Sequence, residues 1–235
     1  MSKLCFFSSA LIMCLFLPLV FQAGGKKIEI GGYVLDGQNR PIPDATVSVF
    51  YAPYYNEPDA IRDFGGTWKT LDDGLFGIEM RWRSTMKLNL LVDLKNDEAF
   101  YPINLKELLR YKLVEPIVIL KYEKKISLGN IRSYIKYEKV VIDTQNCAKS
   151  FLSGIKVFSY FLKIKDFRGN TIHYGSFGAN ALKTTQNLDF YLPKGTWFVE
   201  IIDQSQNITI LPEQKLQIRE AETVNLKLDK EVCTE

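Results

Sequence analysis

From residue 26 onward the chain is a series of short apolar runs cut by turn dipeptides, the pattern of strands joined by tight loops. Ile28–Leu35 ends in Asp36-Gly37. Ala45–Tyr51 alternates, with Val47, Val49 and Tyr51 on one side and Thr46, Ser48 and Phe50 on the other. Trp68–Leu71 leads into Asp72-Asp73-Gly74, and strands are predicted at Leu75–Trp82, Lys87–Leu94 and Glu115–Tyr122. Only Asn104–Tyr111 carries helical spacing, through Leu105, Leu108 and Leu109. The charged Glu123-Lys124-Lys125 then marks a seam. Beyond it strands are predicted at Ile131–Ile142, Gly154–Phe167, Asn187–Leu192, Thr196–Asp203 and Thr223–Leu228.

Strands joined by short turns, with almost no helix, predict an all-β fold of two antiparallel Greek-key β-sandwich modules in tandem, spanning 26–124 and 125–235. No alternation of strand and helix suggests a nucleotide-binding α/β fold. The 46% hydrophobic content is enough for two cores.

The first 25 residues read differently. Lys3 is followed by a charge-free run from Leu4 to Val20, then by small residues at Ala23, Gly24 and Gly25. This is the pattern of a secretory signal peptide, with cleavage expected after Ala23 or Gly25. The alternative is an uncleaved membrane anchor, since the run approaches the roughly 20 apolar residues needed to span a bilayer. Loss of Lys3 with the leader takes the formal charge from +3 to +2. So even a balance lacks the clustered basic surface expected of a nucleic-acid partner.

Cys5 and Cys14 lie in the leader, which leaves Cys147 and Cys233 as the cysteines of the exported chain. An even pair in an exported protein favours a disulfide, the alternative being two separate buried thiols.

Three stretches carry a resemblance: Gly32-Tyr-Val-Leu-Asp36, Pro41-Ile-Pro-Asp-Ala45-Thr-Val-Ser-Val49, and Thr70-Leu-Asp-Asp-Gly74-Leu-Phe76. In this order they resemble the carboxypeptidase regulatory-like domain, a transthyretin-like (prealbumin-type) sandwich, over roughly residues 28–122. The resemblance implies a fold and no activity. Mechanically, Gly74 reverses the chain so that Phe76 enters the core, and Ala45 is small where the second strand enters the sandwich. Leu192-Pro-Lys-Gly195-Thr-Trp-Phe-Val-Glu200 resembles the same superfamily more faintly.

Catalytic chemistry is scarce. The single histidine, His173, lies beside the Gly169-Asn170 turn, where a solvated surface residue is expected. No cysteine–histidine set at zinc spacing, no G-x-S-x-G elbow and no phosphate-cradling Gly-rich loop occurs. Asp72-Asp73-Gly74 reads as a turn rather than a calcium site. Trp68 and Trp82 are expected in the core. Tyr54, Tyr55 and Arg62 sit in the long, Pro-flanked loop from Tyr51 to Gly66 and are the candidate binding residues. The reading is a non-catalytic exported protein, at the periplasm, cell surface or extracellular, that serves as a binding or structural module at the cell envelope with a protein or glycan partner and no cofactor or metal; an enzyme is the less favoured class. The alternative is a carbohydrate-binding module using the loop aromatics.

Overall fold

The computed structural model describes residues 25–53, 63–82, 85–95, 99–143, 160–176, 187–203 and 208–227. The expected signal peptide lies outside them apart from Gly25. The fold is all-β, as the alternation predicts. The first seven strands are β1 (Lys26–Val34), β2 (Thr46–Pro53), β3 (Asp63–Lys69), β4 (Leu75–Trp82), β5 (Met86–Asp93), β6 (Ile117–Ile119) and β7 (Lys125–Ile131). They form two sheets, ordered β4-β1-β7 and β3-β2-β5-β6. The next seven are β8 (Tyr137–Asp143), β9 (Tyr160–Asp166), β10 (Thr171–Ser176), β11 (Asn187–Pro193), β12 (Gly195–Asp203), β13 (Ile208–Ile218) and β14 (Val224–Lys227). Their sheets are ordered β11-β8-β14 and β10-β9-β12-β13. Adding seven to each strand of the first sandwich reproduces the second, so one topology is used twice.

Two features differ from the sequence expectation. Pairing between strands is antiparallel except where the last strand of each unit joins the first: β7 runs parallel to β1, and β14 parallel to β8, while an isolated parallel bridge joins Asp93 to Ile135. A strand can close a sheet in parallel only by first crossing over, and β6 and β13, in the opposite sheets, supply that crossing. The charged stretch at 123–125 is also no seam. It leads straight into β7, so the first sandwich runs on to Ile131. The predicted strand Ile131–Ile142 is split because its apolar residues serve two cores. Ile131 packs in the first, and Ile135, Val140 and Ile142 in the second.

The local elements follow from their residues. In α1 (Leu105–Arg110) the Asn104 side chain accepts the Glu107 N–H at 2.9 Å, an N-cap that satisfies one otherwise orphaned donor. Leu105, Leu108 and Leu109 form its buried face, each burial stabilising by about 1.5–3 kcal/mol. Thr70 ties the β3 end to the approach of β2. Its hydroxyl donates to the Ile42 carbonyl at 2.7 Å and accepts the Ala45 N–H at 2.9 Å. Gly74 has φ +75°, and a Cβ there would lie 2.6 Å from the Val34 carbonyl oxygen. Phe76, two residues on, is buried as expected.

β5 positions everything else. In β1 buried and accessible residues alternate, whereas β5 is buried continuously from Leu88 to Asp93. An uninterrupted buried run means both sheet faces are covered. On the inner face Leu88, Leu90 and Val92 pack with Ile28, Phe76 and Trp82. On the outer face Leu91, with Phe50 of β2, joins the α1 leucines and Leu162, Phe190 and Trp197 of the second sandwich in one cluster. The two sandwiches therefore share a core through the outer face of β5.

Candidate binding surfaces

The outward face of the sheet β10-β9-β12-β13 carries paired charges and aromatic rings. Leu162, Ile164, Trp197, Val199 and Ile201 turn inward, which sends Phe161, Lys163, Lys165, Phe198 and Glu200 outward. Register places Lys163 between Tyr174 and Glu200, and Lys165 beside Phe198. Lys163 pairs with Glu200 at 3.3 Å, and Lys165 with Glu213 of β13. The Glu213 carboxylate holds the Lys165 ammonium above its usual pKa, chiefly through their hydrogen bond. At one end of this ladder the rings of Phe161 and Tyr174 sit 5.2 Å apart, and Tyr174 is 51% exposed. Exposed aromatic rings are enriched at recognition surfaces, with charged residues toward the rim.

A second exposed ring is Phe64, 61% accessible, which leans on Phe50 at 5.5 Å where β3 leaves the Tyr51–Gly66 loop. Sequence reasoning placed Phe64 in the Tyr51–Gly66 loop and missed it; β2 runs to Pro53 and β3 begins at Asp63, so that Phe64 is a strand residue paired with Phe50. A half-open cavity of about 210 Å³ lies where β5, the 133–136 segment and the β11–β12 turn meet. Leu91, Ile117 and Ile135 line it, with Tyr134, Lys136 and Lys194. Lys136 is engaged by Glu220 in a close ion pair.

Tyr54, Tyr55 and Arg62 lie outside the described residues, as do Cys147 and Cys233. Trp82 is buried and Trp68 packs against the first core, as expected. Asp73 accepts the Leu75 N–H at 2.9 Å, as a turn residue does. Among the described residues no group of histidine, cysteine and acidic side chains could hold a metal ion.

His173 corrects the sequence reading. It is not a solvated turn residue. The pairing of β10 with β9 shifts register between Thr171 and His173, so that His173 stands opposite the inward-facing Ile164. Its ring meets Phe100 edge-on at 6.2 Å, and its Nε2 is buried without a hydrogen-bond partner among the described residues. Burial pushes its pKa down, and a hydrogen bond to the Pro102 backbone opposes this.

No family model matches the chain, and no curated protein matches it. Among solved structures it is similar to the Bacillus anthracis TIE protein, at 13% identity and TM-score 0.31, over 86% of this chain and 33% of that one. It is also similar to a streptococcal ancillary pilin, at 8% identity and TM-score 0.34, over 86% and 62%. GBS52, the minor pilin of Streptococcus agalactiae, overlaps at 8% identity and TM-score 0.37, over 85% and 94%. The chain thus spans about a third of the first and under two thirds of the second. Overlap this loose assigns neither ligand nor activity. No helix among the described residues is long and apolar enough to cross a membrane.

Proposed function

We propose that the chain is a non-catalytic exported module that binds a protein or glycan partner at the cell envelope. The observation that carries this reading is the outward face of the second sandwich, where Phe161 and Tyr174 adjoin the Lys163–Glu200 and Lys165–Glu213 pairs. A rigid sheet presenting aromatic rings at a fixed distance from charges binds with little ordering cost. Two turn carboxylates among the described residues are engaged in structure. Asp36 holds Gln38 and Arg40, and Asp166 holds Arg168 and Asn170. The motif from Gly32 to Phe76 resembles the carboxypeptidase regulatory-like domain, a fold that serves as an accessory module, and this supports the same reading.

The test is co-sedimentation of the mature protein with envelopes of the cells that produce it. Wild type should pellet, and Phe161→Ala with Tyr174→Ala should remain soluble while keeping its circular dichroism. Protease treatment of the envelopes distinguishes a protein partner, and competition by soluble glycan fragments a carbohydrate-binding module. A wild type that stays in solution, or a variant that pellets equally, overturns the proposal.

A further inference from the structure

The buried side-chain atoms that lack a hydrogen-bond partner among the described residues are not scattered. Apart from Trp82 Nε1 in the first core, they are Asn89 Oδ1, both carboxylate oxygens of Asp93, the Tyr137 hydroxyl and His173 Nε2. Asn89 and Asp93 stand on the outer face of β5, on either side of Leu91. Tyr137 begins β8, and His173 meets the segment leading to α1. Asp93 and Tyr137 act on each other across the joint of the two sandwiches, where an unpartnered buried polar group is costly.

Asp93 is the carboxylate among them. Its residue is 0% exposed. The backbone around it is stitched to the second unit. Ile135 donates its N–H to the Val92 carbonyl at 2.8 Å and accepts the Leu94 N–H at 3.0 Å. The charged or titratable groups that face this carboxyl are Lys95 from its own strand's end and Tyr137 from β8, with Tyr101 behind Tyr137. The Lys95 ammonium lies over the rings of Tyr101 and Tyr137, 5.6 and 5.7 Å from their centroids. The Tyr101 and Tyr137 rings meet edge-on at 4.8 Å.

We propose that this cluster is a pH-sensitive seam: with Asp93 protonated the two sandwiches stay locked, and its ionisation loosens β8 and the segment 99–110 from the outer face of β5. A neutral carboxyl is tolerated in this site, whereas a carboxylate must draw in water or shift its surroundings. Burial raises the Asp93 pKa to about 6, against the smaller opposing pulls of the Lys95 ammonium and the Lys95 backbone N–H, so the change falls in mildly acid solution. The proposal concerns how the scaffold moves and is independent of what the outer face binds.

Hydrogen–deuterium exchange of the full exported chain tests it at about pH 5 and about pH 7.5, on either side of the raised carboxyl. After correction for intrinsic rates, amides of β5 and β8 should exchange several-fold faster at the higher pH, and Asp93→Asn should remove the difference. Equal protection at both pH values in wild type overturns the seam. So does a difference that survives in Asp93→Asn, or one that disappears only in His173→Gln. If Asp93→Asn does not fold, a carboxyl carbon NMR titration of wild type decides. An Asp93 midpoint above about 5 supports the seam, and a midpoint at or below about 5 overturns it.

Discussion

The Thr70 hydroxyl is shared between two backbone groups, and its hydrogen bond from Ala45 fixes where β2 begins. The bond spans the sandwich entrance at 2.9 Å, and Ala45 is 1% exposed. A valine at position 70 keeps the shape and loses both bonds, leaving a buried N–H without its acceptor. Thr70→Val should therefore destabilise the protein by about 1–3 kcal/mol in urea unfolding, and Thr70→Ser should recover most of the loss. A valine variant as stable as wild type would show that water satisfies Ala45 equally well.

Gly74 and Gly37 make a matched pair of tests. Gly74 holds a left-handed backbone with the Val34 carbonyl oxygen 2.6 Å from where a Cβ would stand, whereas nothing lies within 4 Å of that point at Gly37. Gly74→Ala should lower stability by more than about 1 kcal/mol, and Gly37→Ala should change it by less than about 0.5 kcal/mol. Thermal melts of the two variants side by side read the contrast directly.

Stability against pH should carry two opposed slopes. The Asp93 pKa is raised in the folded state, so its stabilising contribution is complete below the unfolded value near 3.8 and is lost as pH rises through about 6. That contribution amounts to about 3 kcal/mol at most. The His173 pKa is lowered in the folded state. Its contribution is present above the unfolded value near 6.5 and is lost as pH falls below it. The two partly cancel in wild type. Asp93→Asn should be more stable than wild type at neutral pH and should lose stability on acidification from about pH 6.5. A variant whose pH profile parallels that of wild type would show that Asp93 is not protonated in the folded state at mildly acid pH.

Cys147 and Cys233 are proposed to form a disulfide, because they are the only cysteines left once the leader is removed. Labelling the native, unreduced protein with a thiol reagent should modify neither. Modification of both would establish two free thiols. The proposal for Tyr54 and Tyr55 has a similar form. Changing both to alanine should weaken partner binding while moving the melting temperature little, because exposed substitutions cost within about 0.5 kcal/mol.

Much of the first sandwich was legible because its turns use residues with one mechanical meaning. Gly74 needs positive φ, Asp73 closes its own turn, and Asn104 caps α1 in the place its leucine spacing predicts. The losses have physical causes. β13 contains Pro212, which lacks a donor and reads as a strand breaker. Here it is tolerated because β13 is an edge strand whose register shifts between its pairings at Leu211 and Gln214. His173 looked solvated because a turn precedes it, and the irregular pairing after Thr171 reverses its direction. The tandem was legible from the strand pattern, but the identical strand order was not, because alternation says nothing of which strands pair. Neither the outward rings of Phe161 and Tyr174 nor the burial of Asp93 could be read from alternation. Which face of a strand is wet depends on the neighbouring sandwich.

The shared face of β5 also sets an order of events during synthesis. Domains emerge from the ribosome in sequence, and the first seven strands are complete before β8 exists. Until the second unit arrives, Phe50, Leu91 and the α1 leucines have no sandwich to cover them. A nascent chain paused near Ile131 would expose that apolar patch beside the partly paired edge of β5, a surface suited to self-association or to capture by a chaperone. Truncation after β7 should thus yield an aggregating fragment rather than a free-standing half, because the second unit completes a core that begins on the first.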